Sequence, residues 1–548
     1  MAMHKSAPVL HVTCLSALEA GLRARFLLLL ASLAPMLIWL ISSGRLARPL
    51  EAAGWALLCG VLAASAPGRA LRWAAAMQLL LLPLTLAWIG AVAVTGMGPS
   101  TASIGSATNG AYKEVLTAAR VVLWNRQFQL VAVLSLGLAA AAARAAWRAP
   151  QGRSGWLSLV FLAAMLPASS AVLDAGGYAG WARLAGPEAR MGVVWLSHLE
   201  MGKEGLRTAL SQAVMSAEAQ PQFVRSAVGV PREFDAQPGV AVFIVGESLR
   251  ADALLDPARG QWSAGLAARL ERGLGVRLPD ACAGGNGTFA SVPRLLTVVD
   301  VADEAGAARK PTVLAMAKAA GARTAYINNH EIWVVPEEGH DFSQKISSMD
   351  VNTYDEVAID AVADFLKRTD ARSKAVLIHL YGQHFFYEQR YPAAMFPPEP
   401  TGLDGEVLNE LRYQRAAEYG ASILLRAAEV LDAQPEPAFL VFTSDHGENL
   451  PSDGTGRRMH AGPTSSRADS VVPAIVLWNA AFQRSGRAKV LDVLRHKKGL
   501  IAHRDVSLAW LALLGQPGGV LPTSDPKTWG ALEPGDPASA VRCALLKP

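Results

Sequence analysis

The stretch AFLVFTSDHG, residues 438–447, decides the fold of the larger part of this chain. Its first six residues, 438–443, are apolar or β-branched without interruption, which is typical of a strand that is buried on both faces of a sheet. A serine, an aspartate, a histidine and a glycine follow at once. We therefore predict a buried strand that ends in polar side chains, and ligands bind beyond the carboxyl ends of such strands in open α/β sheets.

Four further segments have the composition of buried strands, and helical patterns lie between them. Two of the helical patterns are EVAIDAVADFLKR at 356–368 and YGASILLRAAEVLDAQ at 419–434. This alternation predicts a parallel α/β sheet with helices on both faces, which we assign to residues 237–548. The other predicted strands are VAVFIVGE (240–247), RTAYINN (323–329), KAVLIHLYG (374–382) and VVPAIVLWN (471–479).

Three of the predicted strand ends carry side chains that bind metals. A single histidine is more often structural, and an aspartate–histidine pair can be a simple cap. Three strand ends with carboxylates and imidazoles are better explained by a metal site. These ligand types suit zinc, and also manganese, whereas magnesium and calcium prefer oxygen ligands. The residues concerned are Glu247, His379, His384, Asp445 and His446, with His460 further along the chain.

A candidate nucleophile lies in the segment DACAGGNGTFASVPRLLT, residues 280–297. Glycines precede Thr288, and a predicted helix begins there, with Pro293 in its first turns. Glycines let the backbone approach a ligand closely, and a helix N-terminus favours an anion. Alone, Thr288 is best explained as a helix N-cap. Next to a metal site we expect it to be a nucleophile, because a metal lowers the pKa of a nearby hydroxyl.

The first third of the chain is strongly apolar, and we assign residues 1–176 to a bundle of about five transmembrane helices. A spanning helix needs about 17–25 residues, and four of the five apolar stretches reach that length. The second stretch is short and rich in alanine, so it is the doubtful span. A cleaved signal peptide does not explain several successive apolar stretches. The stretches are residues 26–43, 52–66, 74–95, 128–146 and 155–175.

Basic residues between the apolar stretches predict the orientation of the bundle, because cytoplasmic loops are enriched in lysine and arginine. With five spans, most of these residues share the cytoplasmic side, and everything after residue 176 lies outside. If the second stretch does not span, this argument fails. With five spans, residues 177–236 form a connector with an amphipathic helix, and the α/β domain that follows lies on the outer side of the membrane.

The net charge and the cysteines restrict the classes of function that the sequence supports. The formal net charge is +5, and no run of basic residues with interleaved aromatics indicates nucleic-acid binding. The chain has four cysteines and no C-x-x-C motif, which gives no support to a zinc ribbon. In an oxidising compartment Cys282 and Cys543 are candidates for a disulfide. Two free buried thiols explain the sequence equally well.

The order of these motifs resembles the bacterial phosphoethanolamine transferases that modify lipopolysaccharide, within the alkaline phosphatase and sulfatase superfamily. The resemblance covers nearly the whole chain, because an apolar bundle precedes the motifs. It implies a multi-pass bundle in a bacterial inner membrane, followed by an alkaline-phosphatase-like catalytic domain in the periplasm. The matching segments are VGESLRADAL (245–254), NGTFASVPRLLT (286–297), YINN (326–329), HLYGQH (379–384), YEQRYP (387–392) and SDHGE (444–448), followed by His460.

The resemblance also implies roles for individual residues. One zinc is held by Glu247, Asp445 and His446, with Thr288 as a fourth ligand and as the nucleophile, and a second zinc is an open alternative. His384 and His460 match residues that bind substrate phosphate or a second zinc and that act in catalysis. Asn329 and Glu448 match substrate-binding positions near the head group, and His379 is not expected to be a ligand.

The implied reaction has two steps. Thr288 attacks the phosphorus of phosphatidylethanolamine, and diacylglycerol leaves. The phosphoethanolamine group then passes from the threonine to a lipopolysaccharide or another periplasmic glycan. Many relatives have several disulfides near the active site, one of which spans the nucleophile turn. This chain has few cysteines, so the acceptor stays open between lipid A, core heptose, Kdo and other glycans.

Three alternatives remain. A sulfatase activity needs C/S-x-P-x-R, and the nearest string, Ser291 to Arg294, is one residue too short. A phosphoglycerol transferase or phosphodiesterase of the same superfamily would share the metal site and differ in donor and acceptor. A non-enzymatic membrane sensor has no need to retain Glu247, Thr288 and Asp445 together.

Overall fold

We analysed a computed structural model of the chain. It describes residues 8–43, 70–95, 120, 122–149, 235–299, 310–330, 340–346, 354–368, 371–454, 456–461 and 465–515. The predicted apolar stretches 52–66 and 155–175, nearly all of the connector, and Cys543 lie outside these residues. The described residues fall into two units, and each is described by itself.

The smaller unit consists of helices that cover three of the five apolar stretches. These are α1 (Pro8–Ser43), α2 (Ala70–Thr95) and α3 (Arg126–Arg148). Small and apolar side chains pack between them, among them Leu28, Leu71 and Ala142. By length and composition α3 is the one helix in the described residues that meets the criteria for a membrane span. The count of five spans therefore stays a prediction.

The larger unit is built on a seven-stranded sheet in the order β2-β9-β7-β1-β6-β4-β5, and a second sheet has the order β10-β3-β8. The strands are β1 (Gly239–Gly246), β2 (Gly275–Arg277), β3 (Ala281–Cys282), β4 (Arg323–Asn328), β5 (Phe342–Lys345), β6 (Ser373–His379), β7 (Ala438–Ser444), β8 (Val471–Val472), β9 (Ala474–Trp478) and β10 (Ile501–Ala502).

Helices cover both faces of the large sheet, as predicted. They are α4 (Gln261–Glu271), α5 (Thr288–Leu296), α6 (Val313–Ala319), α7 (Glu356–Arg368), α8 (Gly405–Asp432), α9 (Ala480–Ser485), α10 (Asp492–Arg495) and α11 (His503–Leu514). The side chains of β1 alternate between two cores. Val242 and Ile244 pack in the core that contains α7 and α8, whereas Phe243 packs in the core that contains α5, α6 and α11.

The four central strands β7, β1, β6 and β4 are parallel, but β9 is antiparallel to β7. This differs from the all-parallel sheet expected from the alternation. A parallel connection needs a crossover, usually a helix. The described residues between β7 and β9 contain a short 3-10 turn, Pro451–Asp453, and strand β8 of the second sheet, but no α-helix that could form such a crossover, and β9 runs in the opposite direction.

Candidate active site

The ends of the four parallel strands meet at one edge of the large sheet. In the register, Gly246 at the end of β1 pairs with Ser444 at the end of β7, and His379 at the end of β6 pairs with Asn328 at the end of β4. The residues that follow these positions therefore come together, as the strand-end rule predicts. They are Glu247 after β1, Asn329 and His330 after β4, and Asp445 and His446 after β7.

Four predicted ligand residues form a compact, buried group at this edge. Nε2 of His446 lies 3.2 Å from Glu247 Oε1, 3.4 Å from Asp445 Oδ2 and 3.2 Å from Thr288 Oγ1. Thr288 Oγ1 donates a hydrogen bond of 3.0 Å to Glu247 Oε2. The structure thus brings together Glu247, Thr288, Asp445 and His446.

This group fits a zinc ion on two counts. Bonds of about 2.0–2.2 Å to a tetrahedral zinc place neighbouring ligand atoms about 3.3–3.6 Å apart, close to the separations here. Nδ1 of His446 lies 2.8 Å from the carbonyl oxygen of Gly447 and donates to it, so Nε2 is the ring nitrogen that faces the carboxylates and would bind a metal. The donor set is therefore suited to a cation.

The pKa shifts within the group also indicate a site for a cation. Burial raises the pKa of Asp445, and the neighbouring carboxylate of Glu247 raises it further, to about 8. Burial alone would also raise the pKa of Glu247, but the His446 and His330 imidazoles hold it well below its usual range. Burial opposes the charged form of His446, yet Asp445 and Glu247 raise its pKa to about 10. Two carboxylates buried at contact distance require positive charge between them.

The residue after Glu247 has a strained backbone that the site holds in place. Ser248 has a φ of 58°, in the left-handed region that non-glycine residues rarely adopt. Its backbone N–H donates to Asp445 Oδ1 at 3.1 Å, and its hydroxyl donates to Glu247 Oε1 at 2.7 Å. These bonds orient both carboxylates, and strained backbone of this kind is common at functional sites.

Thr288 is the first residue of α5, and it is 7% exposed. Gly287 is the N-cap and provides no side-chain hydrogen bond, so the first turn of α5 has backbone N–H groups available for an anion. The neighbouring hydroxyl of Ser291 is fully buried and donates to the carbonyl oxygen of Asp445 at 2.5 Å. Of the two hydroxyls, that of Thr288 therefore lies in the ligand group, whereas that of Ser291 ties α5 to the end of β7.

His384 and His460 lie next to each other beside the ligand group, with ring centroids 6.1 Å apart. His384 follows a tight turn at Gly382, where φ is 50° and a Cβ atom would lie 2.7 Å from the backbone N and O of Glu247. Only glycine allows the HLYGQH turn to approach that closely. The side chain of His460 is partly exposed.

Glu448 lies behind His460. It is fully buried, its Oε1 accepts a 2.7 Å hydrogen bond from the hydroxyl of Tyr387, and its Oε2 lies 2.7 Å from Nδ1 of His460. A carboxylate in this position fixes the tautomer of an imidazole and leaves Nε2 as the outer nitrogen. Glu448 is therefore placed to orient His460, rather than to meet a substrate directly.

Asn329 is also fully buried, and its Nδ2 donates to Asp355 Oδ1 at 2.7 Å. Asp355 in addition accepts hydrogen bonds of 2.9 Å from the backbone N–H groups of Tyr381 and Gly382. Asp355 thus joins the end of β4 to the turn that carries His384.

Sequence reasoning missed four residues of the site: His330, Asp355, Tyr387 and Ser248. His330 and Ser248 each directly follow a predicted strand, which is the signal that would have found them. Asp355 and Tyr387 offer no such signal, because their roles depend on contacts between distant segments.

Cys282, at the end of β3, is disulfide-bonded. The pairing with Cys543 stays a prediction, because Cys543 lies outside the described residues. Disulfides are typical of oxidising compartments.

Comparisons with known proteins show which family and which solved structures the chain resembles. The sulfatase family model matches residues 240–516. Phosphoethanolamine transferase EptC of Escherichia coli O18:K1:H7 (strain RS218 / NMEC) is 25% identical over 191 residues, which are 31% of this chain and 32% of that protein. The match thus spans about a third of the length of this curated relative.

Solved structures include the integral membrane protein lipooligosaccharide phosphoethanolamine transferase A (EptA) from Neisseria meningitidis. It is 18% identical, covers 90% of this chain and 95% of its own, and has a TM-score of 0.61. The C-terminal periplasmic domain of EptC from Escherichia coli, solved in complex with Zn, is 19% identical, covers 56% of this chain and 89% of its own, and has a TM-score of 0.46.

The likeness to EptA extends the shared fold over nearly the whole chain. The predicted resemblance to phosphoethanolamine transferases of this superfamily is confirmed by these matches. Because the family model spans just over half of the chain and includes every residue of the site, the chain belongs to the sulfatase family.

Proposed function

We propose that this chain is a zinc-dependent phosphoethanolamine transferase of a bacterial inner membrane. It moves phosphoethanolamine from phosphatidylethanolamine to a lipopolysaccharide acceptor, through a covalent intermediate on Thr288. One observation carries the proposal. The hydroxyl of Thr288, at the start of α5, lies within 3.2 Å of both Glu247 and His446, in a buried group of metal-binding side chains.

Glu247, Asp445, His446 and Thr288 would hold the zinc, which lowers the pKa of the hydroxyl and neutralises the charge that develops on the phosphoryl group. Thr288 then attacks the phosphorus of the donor. A new P–O bond forms to Thr288 Oγ1, and the P–O bond to the glycerol oxygen breaks. The backbone N–H groups at the start of α5 stabilise the phosphoryl oxygens, which are anionic.

The two histidines beside the ligand group are suited to move protons. The leaving oxygen of diacylglycerol needs a proton in the first step, and the acceptor hydroxyl must lose one in the second. His384 or His460 can do both, as acid and then as base. Glu448 favours this role for His460, because it contacts Nδ1 and leaves Nε2 to exchange the proton. In the second step the bond between Thr288 and phosphorus breaks, and Thr288 Oγ1 regains from solvent the proton that it gave to solvent before the first step.

The proposed function also places the protein at a membrane. A lipid donor lies in the bilayer, and helix α3 is long and apolar enough to span one. EptA is an integral membrane protein, and its fold matches nearly the whole chain. The disulfide at Cys282 agrees with a catalytic domain in the periplasm.

Mass spectrometry of lipopolysaccharide tests the proposal. Cells that express the chain should gain one phosphoethanolamine group on lipid A or on a core sugar, and cells with Thr288→Ala should not. The matched control is Thr297→Ala, at the other end of α5, where the hydroxyl only bonds Pro293 O at 2.7 Å. An unchanged profile of lipopolysaccharide and other periplasmic glycans contradicts transfer. A gain of phosphoglycerol would assign a different donor.

A further inference from the structure

A buried histidine that the proposed reaction does not use lies beside the turn that precedes Thr288. This is His503, the first residue of α11, which is 3% exposed. It directly follows β10, and β10 pairs in parallel with β3, so that Ala502 lies opposite Cys282. The pairing brings the ring of His503 into contact with the glycine-rich turn at 284–287.

The hydrogen bonds of His503 determine which of its ring nitrogens carries the proton. The backbone N–H of Gly284 can only donate, and it lies 3.2 Å from Nδ1. The carbonyl oxygen of Ser444 can only accept, and it lies 3.0 Å from Nε2. Nδ1 is therefore the acceptor and Nε2 the donor of a neutral ring. Burial lowers the pKa of His503 to about 3, so the ring stays neutral at physiological pH.

These two bonds join the segment that carries Thr288 to the segment that carries two of the proposed metal ligands. Gly284 begins the turn that leads to Thr288 four residues later. Ser444 is the last residue of β7, directly before Asp445. One imidazole therefore links the turn before the hydroxyl to the strand that ends at the ligand group.

Helix α5 contributes to the same cluster through Ser291. Its hydroxyl donates to the carbonyl oxygen of Asp445 at 2.5 Å and lies 3.3 Å from Nδ1 of His503. The turn itself packs closely on α5, because a Cβ atom at Gly284 would lie 3.2 Å from the Cβ atom of Arg294. The position of the turn is therefore set by its contacts with α5 and with the ring of His503.

The proposed reaction depends on the separation between the turn and β7. Thr288 Oγ1 lies 3.2 Å from Nε2 of His446, and His446 follows Ser444 by two residues. A displacement of about 1 Å in a reacting group lowers a rate by about 100-fold. A shift of the turn relative to β7 would move the hydroxyl away from the ligand group, although every residue of that group would still be present.

We propose that His503 is a positioning residue, which holds Thr288 within reach of the ligand group through its hydrogen bond to Gly284. It acts through the turn and not by contact with a substrate. The inference rests on the proposed function, because Thr288 is the nucleophile in that function.

Ser507 provides a matched comparison for a purely structural role. It lies one turn after His503 on α11, it is fully buried, and its hydroxyl donates to the carbonyl oxygen of Leu295 in α5 at 2.7 Å. Ser507→Ala therefore removes a hydrogen bond between the same two helices and leaves the contact with Gly284 in place.

The rate of adduct formation by the full-length, zinc-loaded protein in detergent tests this inference. The protein is mixed with phosphatidylethanolamine and quenched at set times, and peptide mass spectrometry follows phosphoethanolamine on Thr288. The kcat, the KM, the zinc content and the free energy of unfolding are measured on the same preparations.

Two amide variants separate the two hydrogen bonds of the ring. His503→Asn keeps an acceptor oxygen at the place of Nδ1, whereas His503→Gln keeps a donor at the place of Nε2. We expect His503→Gln and His503→Leu to form the adduct about 10–100-fold more slowly, with KM and zinc content within about 2-fold of the wild type. We expect His503→Asn and Ser507→Ala to stay within about 5-fold of the wild-type rate.

Three results would overturn the inference and leave the proposed function intact. The first is wild-type adduct formation in His503→Gln, and the second is an equal rate in His503→Gln and His503→Asn, which would exclude the bond to Gly284 as the cause. The third is an equal slowing in Ser507→Ala and His503→Gln at the same loss of stability, which would make His503 a structural residue. The amide pair decides the test even where His503→Leu does not fold. A wild type that forms no adduct contradicts the proposed function itself, and the inference with it.

Discussion

The hydroxyl of Thr288 donates a 3.0 Å hydrogen bond to a carboxylate oxygen of Glu247, although 41 residues separate the two in the chain. Glu247 directly follows the first strand of the large sheet, and Thr288 begins a helix on one of its faces. The fold therefore brings the proposed nucleophile and a carboxylate of the proposed metal site to the same edge. The predictions below test what each part of this arrangement contributes.

Removal of the nucleophile should abolish transfer. We expect Thr288→Ala to lower the rate of transfer by roughly 10⁴-fold or more, because removing one member of a catalytic unit costs about as much as removing the whole unit. Thr288→Ser keeps a hydroxyl at the start of α5 and should retain measurable activity. The assay is release of diacylglycerol from a fluorescent phosphatidylethanolamine. Wild-type activity in Thr288→Ala would assign the nucleophile elsewhere.

Loss of a ligand should remove the metal. We expect His446→Ala and Glu247→Ala to reduce the zinc content of the purified protein and to abolish activity, because each side chain lies in the buried ligand group. His496→Ala, which alters an exposed histidine, is the control and should keep its zinc. Elemental analysis provides the measurement. An unaltered zinc content in both ligand variants would place the metal elsewhere.

The bond between Glu448 and His460 should matter for turnover rather than for binding. Glu448→Gln weakens the hydrogen bond to Nδ1 of His460. We therefore expect kcat to fall by about 10–100-fold with little change in KM. Tyr387→Phe removes one hydrogen bond to the same carboxylate and should have a smaller effect. Glu436→Gln, which only breaks the ion pair with Lys374, is the control. A change confined to KM would assign Glu448 to substrate binding.

Asp355 should stabilise the turn that carries His384. Asp355→Ala leaves the N–H groups of Tyr381 and Gly382 and the amide of Asn329 without their acceptor. We expect a loss of about 2–4 kcal/mol in the free energy of unfolding, because buried groups left unsatisfied cost about 1–3 kcal/mol each and the structure relaxes in part. Asp355→Asn keeps one acceptor oxygen and should lose less. Denaturant unfolding followed by tryptophan fluorescence measures both, and equal stability of all three proteins would contradict this role.

The main features of the catalytic fold could be predicted because its strands are continuous apolar runs. The predicted strand at 323–329 is β4, and the predicted helix at 356–368 is α7. The second sheet was not predicted, because its strands have only two residues each, too few for a period to appear. The reversed direction of β9 depends on the course of a long connection, which no local pattern encodes.

The part of the candidate site that lies directly after predicted strands could be predicted from the sequence. Glu247 and Asp445 directly follow strands, and the structure brings them together as expected. His330 occupies the same kind of position but was missed, since one histidine is weak evidence of a site. Glu448 was expected near the substrate, whereas the fold buries it behind His460. Its place depends on Tyr387, 61 residues away, and such a contact is visible only in three dimensions.

The most direct test of the account is the covalent intermediate. Purified protein is incubated with phosphatidylethanolamine in the absence of acceptor, quenched in acid and digested for peptide mass spectrometry. We predict phosphoethanolamine on Thr288, in the peptide that also contains Ser291, and fragmentation separates the two positions. The adduct should be absent from Thr288→Ala and present in His496→Ala. An adduct on Ser291, or release of diacylglycerol without any adduct on the protein, would contradict Thr288 as the residue that carries the transferred group.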